Sequence, residues 1–139
     1  MNKIIFNTED IDFQLVKKKI LRGWIESTVE KEGRKLGGLG YIFCSDDYLH
    51  KLNIEYLNHD TLTDVITFPY ADNPVEGDIF ISIDRVRDNA RDLNLTFERE
   101  LHRVMIHGVL HLCGYRDETD EEEALIRQKE DECLKVLIF

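Results

Sequence analysis

Residues 107–117 read His-Gly-Val-Leu-His-Leu-Cys-Gly-Tyr-Arg-Asp, and this stretch restricts the fold more than any other. On a helix, His107 and His111 lie one turn apart on a single face, so their imidazoles can converge on one point. Gly114 stands where a residue of positive φ commonly ends a helix. The chain can then swing back and deliver the carboxylate of Asp117 to the same point. Two nitrogens and one oxygen around an open position are the donor set of a catalytic Zn²⁺ site. Such a helix must be held rigidly by burying its other side, and Leu101, Val104, Met105, Gly108 and Leu112 supply that apolar face. A His-x-x-x-His pair by itself is a weak signal, because most such pairs are ordinary helix residues. The glycine stop and the acid beyond it strengthen it.

Alternatives stay open at this level. Asp117 can bind the ion directly or can act as a partner of a ligand, with water in the third position. Cys113 lies near the histidines, although a buried packing role is the commoner fate of such a cysteine. A carboxylate in the donor set lowers the formal charge of the centre from +2 to +1, so we expect a bound water to be acidified less than at a centre with neutral ligands. The harder oxygen ligand also makes Mn²⁺ or another divalent ion a reasonable occupant. Zn²⁺ is the first expectation because two imidazoles suit it. His50, His59 and His102 are expected to be surface or packing residues.

Length and charge bound the rest. A chain of 139 residues with 42% hydrophobic content suits one domain with one core, here taken as residues 1–139. The three cysteines are odd in number and lack Cys-x-x-Cys spacing, which fits a reducing compartment. The opening residues carry no leader pattern and no apolar run is long enough to cross a membrane, so a cytoplasmic protein is expected. Acids outnumber bases 28 to 18, giving a net charge of −10. That argues against unspecific nucleic-acid binding over the whole surface but allows a local basic strip. Arg85, Arg87 and Arg91, with Arg34, are the expected strip. On composition alone a solvated helix face is the favoured reading of each basic cluster.

The expected architecture is α/β (α+β), with a mixed sheet of about four strands and about five helices. Strands are expected over residues 3–6, 39–44, 65–68 and 79–83. Helices are expected over 11–32 (on a stripe of Phe13, Val16, Ile20 and Trp24), 45–56, 84–93 and 96–112, with a last one capped by Asp120 and Glu123. Pro69 is expected to stop the third strand, and residues 71–76 to turn it into an antiparallel hairpin. The last helix is expected to bury Leu125, Lys129, Cys133 and Val136.

Three motifs in order, His107-Gly108-Val109-Leu110-His111-Leu112-Cys113-Gly114-Tyr115, Thr63-Asp64-Val65-Ile66-Thr67-Phe68-Pro69 and Gly77-Asp78-Ile79, resemble the YbeY family of bacterial ribosomal-RNA maturation endoribonucleases. The resemblance covers nearly the whole chain. Two positions depart from the family pattern. Asp117 stands where the family usually has a third histidine, and Leu57 follows Tyr56 where it usually has an arginine that serves RNA cleavage. The resemblance implies a metal-dependent endoribonuclease specific for single strands, acting in ribosomal RNA processing and ribosome maturation. Its partners would be ribosomal RNA and the small subunit or its biogenesis proteins.

The residues themselves agree with that chemistry. In His-Glu-x-x-His proteases the residue after the first histidine is the general base, whereas here it is Gly108. Phosphodiester hydrolysis depends less on such a base, since the ion can polarise a phosphoryl oxygen. We therefore expect His107, His111 and Asp117 to hold the ion and to act in catalysis through its water. Asp64 and Asp78 are weaker candidates for support, being also suited to turn or cap roles. Two other functions fit the same residues: a ribosome-biogenesis binding factor with a structural or vestigial metal, and a metal hydrolase of another substrate.

Overall fold

The computed structural model describes residues 3–137, so the ends of the expected domain, residues 1–2 and 138–139, lie outside the described residues. The elements run β1 (Ile4–Glu9), α1 (Lys18–Lys31), β2 (Leu36–Cys44), α2 (Asp46–Leu57), β3 (Val65–Asp72), β4 (Val75–Ser82), α3 (Ile83–Asp92), α4 (Phe97–Leu112) and α5 (Asp120–Lys135). The sheet order is β1-β2-β4-β3, with β1, β2 and β4 parallel and β3 antiparallel to β4. This is the expected mixed α/β architecture of four strands and five helices.

Side chains alternate across a strand, and here the two faces meet different partners. Ile79 and Ile81 of β4, with Leu39, Tyr41 and Phe43 of β2, share the main core with α1, α3 and α4. Phe80, Ile66 and Phe68 point the other way and pack with Leu49 and Leu52 of α2. Cross-links fix the thick side. The Tyr41 hydroxyl donates to the Met105 carbonyl at 2.9 Å, and the Trp24 indole donates to the Cys133 carbonyl at 2.8 Å.

Helix α4 starts where expected. The Thr96 hydroxyl accepts from the Arg99 amide at 3.1 Å, and Glu98 and Glu100 occupy the first turn. Gly108 lets this helix lie directly on β4, since a Cβ there would stand 2.8 Å from the Ile79 Cγ2. Gly108→Ala gains about 1 kcal/mol of helix propensity but meets about 1–3 kcal/mol of overpacking against a β-branched neighbour that cannot swing aside. We expect a net loss of stability, read as a lower urea midpoint. A midpoint at or above that of the parent would show that the interface has room.

Several boundaries differ from the sequence reading, each for a local reason. The first helix begins at Lys18 rather than Ile11. Ahead of it, Ile11, Phe13 and Leu15 point inward while Asp12, Gln14 and Val16 are exposed. That period of two belongs to extended chain. Phe13 packs between Phe43 and Phe97, with ring centroids at 5.2 and 6.0 Å. The buried face of α1 is Leu21, Trp24, Ile25 and Val29, and Ile20 is exposed. Pro69 does not stop β3, because the register shifts between Pro69 and Ala71 and the strand runs on to Asp72. The helix after β4 is capped by Ser82 rather than by Asp84, and the capping box of α5 is Thr119 with Glu122, one residue early. That offset turns α5, so it buries Ile126 and Glu130 while Leu125 and Val136 stay exposed. In α2, Tyr56 is exposed. Among the described residues, no helix is long and apolar enough to cross a membrane.

Candidate metal centre

Beyond Leu112 the helix ends as its sequence requires. Gly114 has a φ of 103°, and the Tyr115 amide donates to the Leu110 carbonyl at 3.0 Å. The chain then reverses, and Thr119 begins α5 within five residues of Gly114. Asp117 sits in the middle of this short connection.

The three side chains meet. The Nε2 atoms of His107 and His111 are 2.9 Å apart, and Asp117 Oδ2 lies 3.2 Å from the second and 3.5 Å from the first. The rings are nearly perpendicular, at 82°. Each ring is held by its other nitrogen. His111 Nδ1 lies 2.9 Å from the Tyr115 carbonyl, and His107 Nδ1 lies 2.5 Å from Glu130 Oε2. Both of those partners are acceptors, so each Nδ1 is placed to donate, and a ring in that tautomer presents a bare Nε2 lone pair. The Nε2–Nε2 contact is then not a hydrogen bond. Two lone pairs and a carboxylate oxygen face one another, which is repulsive unless a cation stands between them. A tetrahedral ion with ligands at about 2.0–2.1 Å separates its donors by about 3.3 Å, and the three observed separations bracket that value. The donor set of His107, His111 and Asp117 therefore fits a divalent ion, and Asp117 Oδ2 stands at a distance that suits a direct ligand.

Burial grades the site. His107 and His111 are largely covered, whereas Asp117 has 42% of its side chain exposed, so the centre opens towards solvent on the carboxylate side. Cys113 is buried, its thiol is pushed up to about 11 by that burial, and it is not one of the converging groups. Gly108 faces Ile79 of the sheet, so a side chain at that position meets β4.

Behind His107 is a chain of buried charge that the sequence reading missed. Glu130 is 1% exposed and Glu100 is fully buried. Arg103 joins them. Its Nη1 donates to Glu130 Oε1 at 3.0 Å, and its Nε and Nη2 each donate to a Glu100 oxygen at 2.8 Å. Asp64 stands 3.8 Å from Arg103 and accepts from the Asn89 amide at 3.2 Å. Burial lifts the Asp64 carboxyl above its ordinary value despite Arg103 and His107. Burial also lifts Glu130, but hydrogen bonds and charge from His107 and Arg103 outweigh it and hold that carboxyl low. The signal was present. Glu130 follows Ile126 by four residues on the inner stripe of α5, and Glu100, Arg103, His107 and His111 form one stripe along α4.

The expected basic strip is spread out. Arg34 donates to the Asp72 carbonyl at 2.9 Å and lies beside Gly114, at the end of the metal helix. Arg85 is engaged with Asp46 and Asp88 at 3.2 and 2.6 Å. Arg87 lies over the Phe97 ring at 5.5 Å, and Arg91 pairs with Asp88. On α3 the side chains of Arg85 and Arg87 are about 200° apart round the axis. Asp78 accepts from the Tyr70 hydroxyl at 2.8 Å, and its strand neighbours show it on the face of the sheet away from α4. His50 pairs with Asp60, and His102 is buried against Trp24.

Residues 3–138 match the family model described as Endoribonuclease YbeY. The chain belongs to that family. It is 50% identical over 137 residues to the Endoribonuclease YbeY of Flavobacterium johnsoniae, covering 98% of this chain and 96% of the relative. The Endoribonuclease YbeY of Flavobacterium psychrophilum is 53% identical over 134 residues, covering 96% and 95%. The solution structure of TM1509 from Thermotoga maritima superposes with a TM-score of 0.66 at 33% identity, covering 95% of this chain and 87% of that one. The YbeY resemblance drawn from the three motifs is thus borne out.

Proposed function

We propose that the chain, one YbeY-like domain over residues 1–139, is a metal-dependent endoribonuclease that cleaves single-stranded RNA in ribosomal RNA processing and ribosome maturation. The observation that carries this reading is the convergence of two bare imidazole nitrogens and one carboxylate in a member of an endoribonuclease family. His107, His111 and Asp117 hold the ion, and Zn²⁺ is the first choice by its ligand preferences. When bound, the ion supplies Lewis-acid polarisation of a phosphoryl oxygen and an activated water. The chain does the rest. His107 and His111 are fixed by Glu130 and Tyr115, and the half-exposed Asp117 leaves an approach for a flexible strand. The cytoplasm, ribosomal RNA and the small subunit or its biogenesis proteins are the proposed setting and partners.

Turnover of a single-stranded RNA tests this, comparing metal-loaded protein with His111→Ala and a chelated control. Cleavage by the loaded protein alone is expected, and equal cleavage in all three samples would remove the enzyme reading.

The proposed RNA contacts are Arg34, Arg85, Arg87 and Arg91. Support is firmest for Arg34, beside the turn after His111, and for Arg91, whose side chain is 74% exposed. Reversing the charge of these two is expected to weaken RNA binding and to flatten its dependence on salt by about one phosphate contact for each residue. An unchanged salt slope would rule these two out as phosphate contacts.

A second reading, a ribosome-biogenesis binding factor with a structural ion, draws on Leu57. It is exposed at the end of α2 and cannot hold a phosphate. The same turnover assay separates the two readings.

A further inference from the structure

We infer that Glu130 is a positioning residue of the metal centre: clamped by Arg103, its carboxylate holds the His107 ring with Nδ1 protonated and Nε2 bare towards the ion. This rests on the reading that His107, His111 and Asp117 hold a divalent cation.

The two histidines are held in unlike ways. His111 has a neutral acceptor, the Tyr115 carbonyl, supplied by the turn that follows its own helix. His107 has a full carboxylate, brought from α5, 23 residues further along the chain. A buried carboxylate is costly unless each oxygen is satisfied. Here Oε2 faces His107 Nδ1 at 2.5 Å, and Oε1 accepts from Arg103 Nη1 at 3.0 Å. Arg103 cannot swing away, because Glu100 occupies its Nε and Nη2 at 2.8 Å each. The order of contacts is therefore Glu100, Arg103, Glu130, His107. Each member fixes the next, and the last one faces the ion site. A carboxylate behind an imidazole fixes its tautomer and raises its basicity as a ligand. His107 is thereby the stronger donor of the pair.

Glu130→Gln separates orientation from bulk. The amide has one acceptor and one donor where the carboxylate has two acceptors. If its oxygen faces Arg103, its NH₂ faces Nδ1, and the ring must move its proton to Nε2, the atom that should meet the ion. If its oxygen faces His107, two donors confront each other at Arg103. The charged guanidinium is the stronger claimant for the oxygen, so the first arrangement is expected and the ring loses its hold.

The test measures Zn²⁺ affinity by competition with a chromophoric chelator for the wild-type chain, Glu130→Gln and His111→Ala. Long-range ¹H–¹⁵N spectra of the histidine rings are recorded on zinc-free protein at mildly alkaline pH. Glu130→Gln should bind Zn²⁺ about 10- to 100-fold more weakly, and the His107 proton should leave Nδ1. In the wild-type chain that proton should sit on Nδ1, a result that also decides the matter if the variant does not fold. A folded Glu130→Gln that binds Zn²⁺ as tightly as the wild-type chain, or a wild-type His107 protonated on Nε2 alone, overturns the positioning role and leaves the metal reading standing. A wild-type chain that binds Zn²⁺ no better than His111→Ala overturns both.

Discussion

Arg103→Ala should cost the fold about 3–5 kcal/mol, the range seen when one partner of a buried ion pair is removed and the other is left uncompensated. Glu100, fully buried, loses its paired cation, and Glu130, 1% exposed, is left with the His107 contact and the more distant Arg127 Nε at 3.8 Å. Urea unfolding at neutral pH measures the loss. A change of less than about 1 kcal/mol would place Arg103 in the class of surface ion pairs. The double variant Arg103→Ala/Glu100→Ala should recover part of the loss, because one stranded charge goes with its partner. The pH dependence has a definite sign. In the wild-type chain the Glu130 carboxyl is lowered from its ordinary 4.5. Its contribution is therefore complete above that value and fades as pH falls through the folded value. The gap between the wild-type chain and Arg103→Ala should be widest at neutral pH and narrow in acid.

His111→Ala should weaken Zn²⁺ binding by two to three orders of magnitude. Zinc bound by four protein ligands holds about 10–16 kcal/mol, so one ligand accounts for roughly 3 kcal/mol or more, and each 1.4 kcal/mol is tenfold. The fold should survive. His111 retains 23% of its side chain in solvent, and its Nδ1 partner is a local turn carbonyl rather than the buried charge chain. Zinc titration followed by calorimetry, with far-UV circular dichroism on the same samples, tests both halves. Affinity unchanged in a folded variant would show that the ion, if bound, sits elsewhere.

The architecture was readable because each parallel strand and its helix announce themselves by period. The convergence of His107, His111 and Asp117 was readable because the three are close in sequence, two on one helix and the third a turn beyond. What failed to show did so for physical reasons. Extended chain over 11–16 covers every second residue, yet Phe13, Val16, Ile20 and Trp24 mimic a helical spacing. The inner stripe of α5 was misplaced by one residue, because Asp120 and Glu123 imitate the cap that Thr119 and Glu122 make. That single step hid Glu130 among the acids of an exposed face. No local pattern reveals that a glutamate on α5 meets an arginine and a histidine 27 and 23 positions earlier. Such a contact exists only once the helices have packed. The arginines were grouped by nearness in sequence, whereas α3 spreads them round its axis.

The segment carrying Asp117 is tethered at both ends, by the Tyr115 amide on Leu110 and by the reciprocal bonds of Thr119 with Glu122. Little loop entropy remains to be lost when a cation arrives. Capture then asks for no folding of the chain around its guest, only for one solvated carboxylate to settle. On the proposed metal reading, such a centre would fill and empty without the chain passing through an unfolded state.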